Sequence, residues 1–112
     1  MDVIWQGENG AGAGLVLAHG AGAGMAHRHM QSLADAFALH GVATLRFNFP
    51  YIEAGKSRVD SPGVAAARIA EAFAQTRERT RVPIWLGGHS FGGRMASHAV
   101  LAQQAPSLHA GS

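Results

Sequence analysis

Cysteine is absent from the sequence, and charged residues are scarce. Without cysteine, disulfide bonds and thiolate metal sites are excluded, which is compatible with a cytoplasmic protein. Charged side chains make up only 14% of the 112 residues, so much of the chain is expected to be buried. No apolar run reaches the roughly 18 residues of a membrane-spanning helix, and Met1-Asp2 does not open a signal peptide. We therefore expect a soluble cytoplasmic protein without a membrane partner.

Basic residues are few and scattered, which argues against a nucleic-acid partner. The formal net charge is +2, and only Arg77, Arg79 and Arg81 lie close together. A surface that binds nucleic acid requires a clustered basic patch. These three arginines are better explained as the solvated end of a helix.

Two patterns that commonly mark a cofactor or a metal are incomplete. Gly20-x-Gly22 is followed by Met25 where a dinucleotide fingerprint needs a small residue, and no Gly-Lys-Ser/Thr phosphate loop follows. His27 and His29 are two residues apart, so on a helix they face different sides, and no third metal ligand is apparent. We therefore expect neither a cofactor nor a metal site.

The order of apolar patterns predicts a single α/β domain over residues 1–112, with its core in residues 15–104. Continuously apolar segments at 15–19, 42–47 and 83–86 are typical of buried parallel strands, and residues 3–5 could add an edge strand. Helical spacing predicts helices at 30–37, 62–73 (with Val64 on the buried stripe) and 91–104. Gly41 and Ser61-Pro62 supply end and start signals. The alternation predicts a three-layer sandwich around a mostly parallel, doubly wound sheet.

The pentapeptide Gly88-His89-Ser90-Phe91-Gly92 lies between the third predicted strand and the third predicted helix. Gly-x-Ser-x-Gly in this setting is typical of a nucleophile elbow, a strained turn that exposes the serine hydroxyl. The glycines at 88 and 92 relieve crowding around the turn. Ser90 is therefore the candidate nucleophile.

A second glycine-rich loop, starting at His19-Gly20, follows the first predicted strand. If that strand lies between the other two, both glycine loops open onto one crevice at the carboxyl edge of the sheet. Backbone amides near Ala21 and of Phe91 could then stabilise one oxyanion. We interpret His19 as a residue in structural hydrogen bonds. Arg46 is interpreted as a loop-bracing arginine, with a substrate clamp as the alternative.

Three segments together resemble the α/β-hydrolase family: residues 19–23, 45–51 and 87–95. More narrowly, the chain is similar to small predicted hydrolases related to dienelactone hydrolase and to testis-expressed and chromatin-complex hydrolase-like proteins. The resemblance implies a partial α/β-hydrolase fold and a small ester or related acyl substrate. It also implies Ser90 as nucleophile and Ala21 and Phe91 as oxyanion-hole residues. Related proteins often carry Lys at the position of His89.

The acid and the histidine of a catalytic triad are not evident after Ser90. In this family both follow the serine in chain order. The residues after Ser90 contain no Asp or Glu, and their two histidines are His98, deep in a predicted helix, and His109, in a Pro/Gly/Ser tail. We therefore expect the N-terminal half of a serine hydrolase, with impaired activity. The alternative is a non-catalytic protein-interaction domain on the same scaffold.

The resemblance also predicts an open sheet edge. In the family's strand order, the third predicted strand pairs with a further strand that this chain is expected to lack. An unpaired edge exposes backbone hydrogen-bonding groups. Self-association through that edge is therefore expected.

Overall fold

The computed structural model describes residues 1–20, 22 and 24–88, and the backbone of a strand at 108–111. The predicted helix at 91–104 lies outside the described residues. The described elements connect the parallel strands through helices, which confirms the α/β class. In chain order they are β1 (Val3–Gln6), β2 (Ala13–Ala18), α1 (Arg28–Leu39), β3 (Val42–Phe47), α2 (Pro50–Glu53), α3 (Pro62–Arg79), β4 (Ile84–Gly88) and β5 (Leu108–Gly111).

The five strands form one sheet in the order β1-β3-β2-β4-β5. The edge strand β1 runs antiparallel to β3, and the other three pairs are parallel. The sheet is therefore mostly parallel, as predicted. β2 lies between β3 and β4, which is the arrangement that places both glycine loops at one edge.

Both faces of β2 are covered, which explains why this strand is continuously apolar. Along β2, Val16 and Ala18 face a large cluster with α3, whereas Leu15 and Leu17 face a smaller cluster with α1. Successive strand residues point to opposite faces, so a strand buried on both sides needs apolar residues throughout. This packing produces the three layers of helix, sheet and helix.

Local sequence signals define the ends of both long helices. The His27 side chain caps α1 by accepting a hydrogen bond from the His29 amide, and Gly41 follows the helix with a φ of 76°. Ser61 caps α3 in the same way, and Pro62 is its first residue. In the described part of the chain, no helix is both long and apolar enough to cross a membrane.

The buried stripe of α3 differs from the prediction at one position. Val64 was predicted to be buried but is 47% exposed. The buried residues are Ala65, Ala66, Ile69, Ala72 and Thr76. They follow helical spacing along one face, and Val64 falls beside that face.

The outer edge of β4 is paired, contrary to the expectation from the sequence. β5 lies parallel to β4, with Leu108 opposite Ile84. This strand was missed because it is four residues long and lies in a segment with loop-like composition. The outer strands of the described sheet are β1 and β5, and self-association through one of these edges remains a prediction.

A pair of leucine substitutions tests the position of the core. Leu45 is completely buried in β3, whereas Leu39 at the end of α1 is 85% exposed. We expect Leu45→Ala to lower the free energy of unfolding by about 2–5 kcal/mol, because the substitution removes buried contacts and leaves a cavity. Leu39→Ala is expected to change it by less than about 0.5 kcal/mol. Urea denaturation measures both, and equal losses would contradict the packing.

Candidate active site at the carboxyl edge of the sheet

The carboxyl ends of β2, β3 and β4 lie side by side. Ala18, the last residue of β2, is opposite Gly88, the last residue of β4. On the other side, Leu17 is opposite Arg46 in β3. The segments that follow these three strands therefore start from the same edge, which is where ligands bind in open α/β sheets.

His19, directly after β2, connects two of these segments. Its ring is buried, its Nδ1 lies 2.7 Å from the Gly20 carbonyl oxygen, and the Phe49 amide donates to its Nε2 at 3.0 Å. Because Nε2 accepts a hydrogen bond, Nδ1 carries the proton and donates it to Gly20. The ring also packs edge-to-face on Phe49, with centroids 4.9 Å apart. His19 therefore holds the glycine loop, residues 20–25, against the segment that follows β3.

Burial lowers the pKa of His19 below its ordinary value of 6.5. The hydrogen bond to Gly20 and the charge of Asp60 act in the opposite direction but are weaker. The neutral ring is the form that can accept from Phe49, so the lowered pKa maintains this contact at neutral pH.

Arg46, at the end of β3, is buried and bound to neutral groups. One terminal nitrogen donates to the Met25 carbonyl oxygen at 3.0 Å. The other donates to the side-chain oxygens of Gln6 and Gln31, at 3.1 and 2.9 Å. These contacts agree with the interpretation of Arg46 as a loop-bracing residue.

The hydrogen-bond network continues from these two glutamines to Asp35 on α1. Both side-chain amides donate to the same carboxylate oxygen, Gln6 at 2.6 Å and Gln31 at 2.8 Å. These hydrogen bonds lower the pKa of Asp35, because they favour its charged form. The network joins β1, α1 and β3 and keeps the Arg46 side chain in one orientation.

Hydrogen bonds to α3 and to the loop that precedes α3 hold the segment after β3. Arg68 donates to the Asn48 carbonyl oxygen at 2.7 Å and pairs with Glu53 at 2.8 Å. The Tyr51 amide donates to the Asp60 carboxylate at 3.1 Å. Burial raises the pKa of the Tyr51 hydroxyl above its ordinary value. These contacts therefore fix the backbone of the segment whose side chains face the glycine loop.

An apolar cavity of about 390 Å³ extends along β2 on the face covered by α1. It ends at Gly87 and Gly88, next to the predicted elbow. The described lining residues are glycine or apolar except for one histidine: Ala13, Leu15, Leu17, His29, Leu33, Phe37, Val42, Trp85, Gly87 and Gly88. Apolar groups are the complementary occupants of such a surface.

The predicted site residues are only partly within the described residues. His19, Gly20 and Gly88 lie together at the carboxyl edge. Ser90 and the residues assigned to the oxyanion hole, Ala21 and Phe91, lie outside the described residues, as does Gly92. Among the described side chains, no group of three His, Cys, Asp or Glu could hold a metal ion.

Sequence reasoning missed the role of Asn48. Its side-chain oxygen accepts a hydrogen bond from the Met25 amide, at the end of the glycine loop. The signal was present in residues 45–51, which carried part of the family resemblance. No local pattern indicated which side chains of that segment point toward residues 20–25.

The family profile described as "Alpha/beta hydrolase domain" matches residues 11–110. This match covers nearly the whole chain. The chain belongs to the α/β-hydrolase domain family. Among curated proteins, no sequence matches the chain. The predicted partial α/β-hydrolase fold is therefore confirmed, and the narrower resemblance to chromatin-complex hydrolase-like proteins stays a prediction.

Solved structures similar to this α/β-hydrolase domain are about twice as long as the chain. Est1E from Butyrivibrio proteoclasticus with bound ferulic acid has 18% identity and a TM-score of 0.72, over 92% of this chain and 44% of its own. Dienelactone hydrolase from Anabaena variabilis has 21% identity and a TM-score of 0.73, over 92% and 51%. The NocB thioesterase domain from the nocardicin cluster has 27% identity and a TM-score of 0.69, over 96% and 46%.

The lowered pKa of His19 predicts a pH dependence of stability. Between pH 6.5 and the lower folded pKa, the unfolded chain binds more protons than the folded domain, so stability falls as the pH decreases through this window. The loss is at most about 1.4 kcal/mol for each pH unit. We expect His19→Gln to abolish this component of the free energy of unfolding, measured by urea denaturation between pH 7.5 and pH 5.

The matched control is His40→Gln, at an exposed histidine after α1. This variant is expected to keep the pH dependence of the wild type. An unchanged slope in His19→Gln would show that His19 is not the group responsible.

Proposed function

We propose that this domain is a serine-dependent acyl hydrolase with Ser90 as its nucleophile. The pairing of Ala18 with Gly88 carries the proposal. The glycine loop starts directly after Ala18 and its neighbour His19, and Ser90 is two residues beyond Gly88. The glycine loop and the segment with Ser90, which are the two parts of the proposed acyl-transfer site, therefore start from adjacent points on one sheet edge.

The proposed reaction uses this adjacency. The Ser90 oxygen attacks the acyl carbonyl carbon, a C–O bond forms, and the carbonyl electron pair moves to the oxygen. The amides of Ala21 and Phe91 would stabilise that oxyanion. The leaving group departs with the electrons of its bond, takes up a proton, and water then releases the acyl group from Ser90.

The base that accepts the Ser90 proton is proposed to lie outside residues 1–112. No acid follows Ser90, and neither His98 nor His109 comes from a position that the family uses for its base. The domain alone is therefore expected to be a weak catalyst, because a triad without its base keeps only the contributions of binding and the oxyanion hole.

Small esters or thioesters are the proposed substrate class. The similar structures include Est1E with bound ferulic acid, a dienelactone hydrolase and a thioesterase domain. All three descriptions are compatible with chemistry at an acyl carbonyl. A cytoplasmic location, with no cofactor, membrane or nucleic-acid partner, is part of the same proposal.

A non-catalytic interaction domain is the second candidate. The observation that favours it is the lack of any Asp or Glu after Ser90. An unactivated serine reacts slowly with electrophiles, so the reactivity of Ser90 separates the two candidates.

Covalent labelling tests the nucleophile. We expect a fluorophosphonate to modify the domain slowly and with a stoichiometry of one, because the proposed site includes an oxyanion hole but lacks the base. Ser90→Ala is expected to abolish the adduct, measured by intact-mass spectrometry. Ser57→Ala, at an exposed serine in a loop, serves as the control and should leave labelling unchanged.

Two results would contradict the serine hydrolase. Equal labelling of Ser90→Ala and the wild type would show that another group reacts. An absence of labelling in the wild type would favour the interaction domain.

A further inference from the structure

The segment Arg46–Tyr51 (residues 46–51) makes three hydrogen bonds with the glycine loop and its flanking residue His19. They join Arg46 to the Met25 carbonyl, Asn48 to the Met25 amide, and the Phe49 amide to His19. These residues are more than 20 positions apart in the sequence, so the contacts depend on the pairing of β2 with β3.

Met25 is held at both of its backbone polar groups. Its amide donates to Asn48 Oδ1 at 2.8 Å, and its carbonyl oxygen accepts from Arg46 at 3.0 Å. A single hydrogen bond at the amide or the carbonyl would still allow the Met25 backbone to rotate. Hydrogen bonds at both groups fix the orientation of the backbone where the glycine loop ends.

Gly24 fits closely against Asn48. A Cβ atom at Gly24 would lie 2.9 Å from Asn48 Oδ1 and 3.4 Å from a methyl carbon of Ile52. The first distance is shorter than real contacts allow, so the absence of a side chain lets the loop approach the Asn48 oxygen. Gly24 therefore permits the hydrogen bond that Asn48 makes with the next residue.

Gly22 lies at the middle of the loop. Its φ of 78° lies in the left-handed region, which glycine adopts without strain. Glycine at this position therefore lets the backbone turn between the two ends of the loop.

The segment 46–51 is itself anchored. Arg68 on α3 holds the Asn48 carbonyl, Asp60 holds the Tyr51 amide, and His19 holds the Phe49 amide. Each anchor uses a backbone group of the segment, so its side chains remain available for the loop. A fixed segment can determine the conformation of the loop that rests on it.

We propose that Arg46 and Asn48 are positioning residues that set the backbone of the glycine loop for oxyanion binding. This inference rests on the proposed function. The Met25 amide is occupied by Asn48, so it does not serve a substrate oxygen, which leaves the task to another amide of the loop. Preorganised donors stabilise an oxyanion strongly, and misplacement by about 1 Å costs on the order of 100-fold in rate.

The test compares two variants at one position. Asn48→Ala removes the acceptor of the Met25 amide, whereas Asn48→Asp retains an acceptor oxygen at the same place. We expect hydrogen exchange at the Met25 amide to accelerate in Asn48→Ala and to return toward the wild-type rate in Asn48→Asp. Exchange is measured by NMR on the whole domain, and circular dichroism melting verifies that each variant folds.

The functional readout is the rate of fluorophosphonate labelling at Ser90. We expect Asn48→Ala to lower it roughly 10- to 100-fold, since the loop donors lose their fixed position. Asn9→Ala, in an exposed turn far from this edge in the sheet, is the matched control and should leave the rate unchanged.

The outcomes separate this inference from the proposed function. Persistent protection of the Met25 amide in Asn48→Ala would overturn the holding role of Asn48. Faster exchange with an unchanged labelling rate would overturn its effect on the site while leaving the Ser90 proposal intact. If the wild type is not labelled at all, the proposed function fails, and the positioning of the loop is then decided by the exchange rates alone.

Discussion

Because β2 is hydrogen-bonded to β3 on one side and to β4 on the other, three carboxyl ends meet at one edge of the sheet. Everything at the candidate site depends on this parallel pairing. It places the glycine loop beside the segment 46–51, and it places Gly88 opposite Ala18. A shift of one residue in either pairing would turn every side chain of that strand to the other face, and the packing on both faces excludes such a shift.

The His19 ring and the terminal nitrogens of Arg46, all near this edge, are hydrogen-bonded to groups from distant parts of the chain. His19 and Arg46 are both nearly inaccessible to solvent, and each uses its hydrogen bonds to join two segments. A buried polar group that loses its partner costs about 1–3 kcal/mol, so these contacts strongly favour one arrangement of the loops. The same contacts that stabilise the fold therefore also shape the site.

Periodicity predicted most of the fold because it reflects the immediate surroundings of each element. The segment at 42–47 coincides with β3, and the signals at Ser61-Pro62 and Gly41 lie at helix ends. The failures have physical causes. β5 is too short to show a pattern, α2 is a single turn, and Val64 lies at the border of a buried face where a small rotation of the helix decides exposure.

The sequence by itself supplied the candidate nucleophile, because Ser90 and its flanking glycines form a pattern that neighbouring residues alone define. It also determined the alternation of strands and helices, which follows from local hydrophobic spacing. Only the tertiary structure decided that β2 is the central strand and that Asn48 and Arg46 meet Met25. Those contacts join residues more than 20 positions apart, and no local pattern encodes which distant side chains come together.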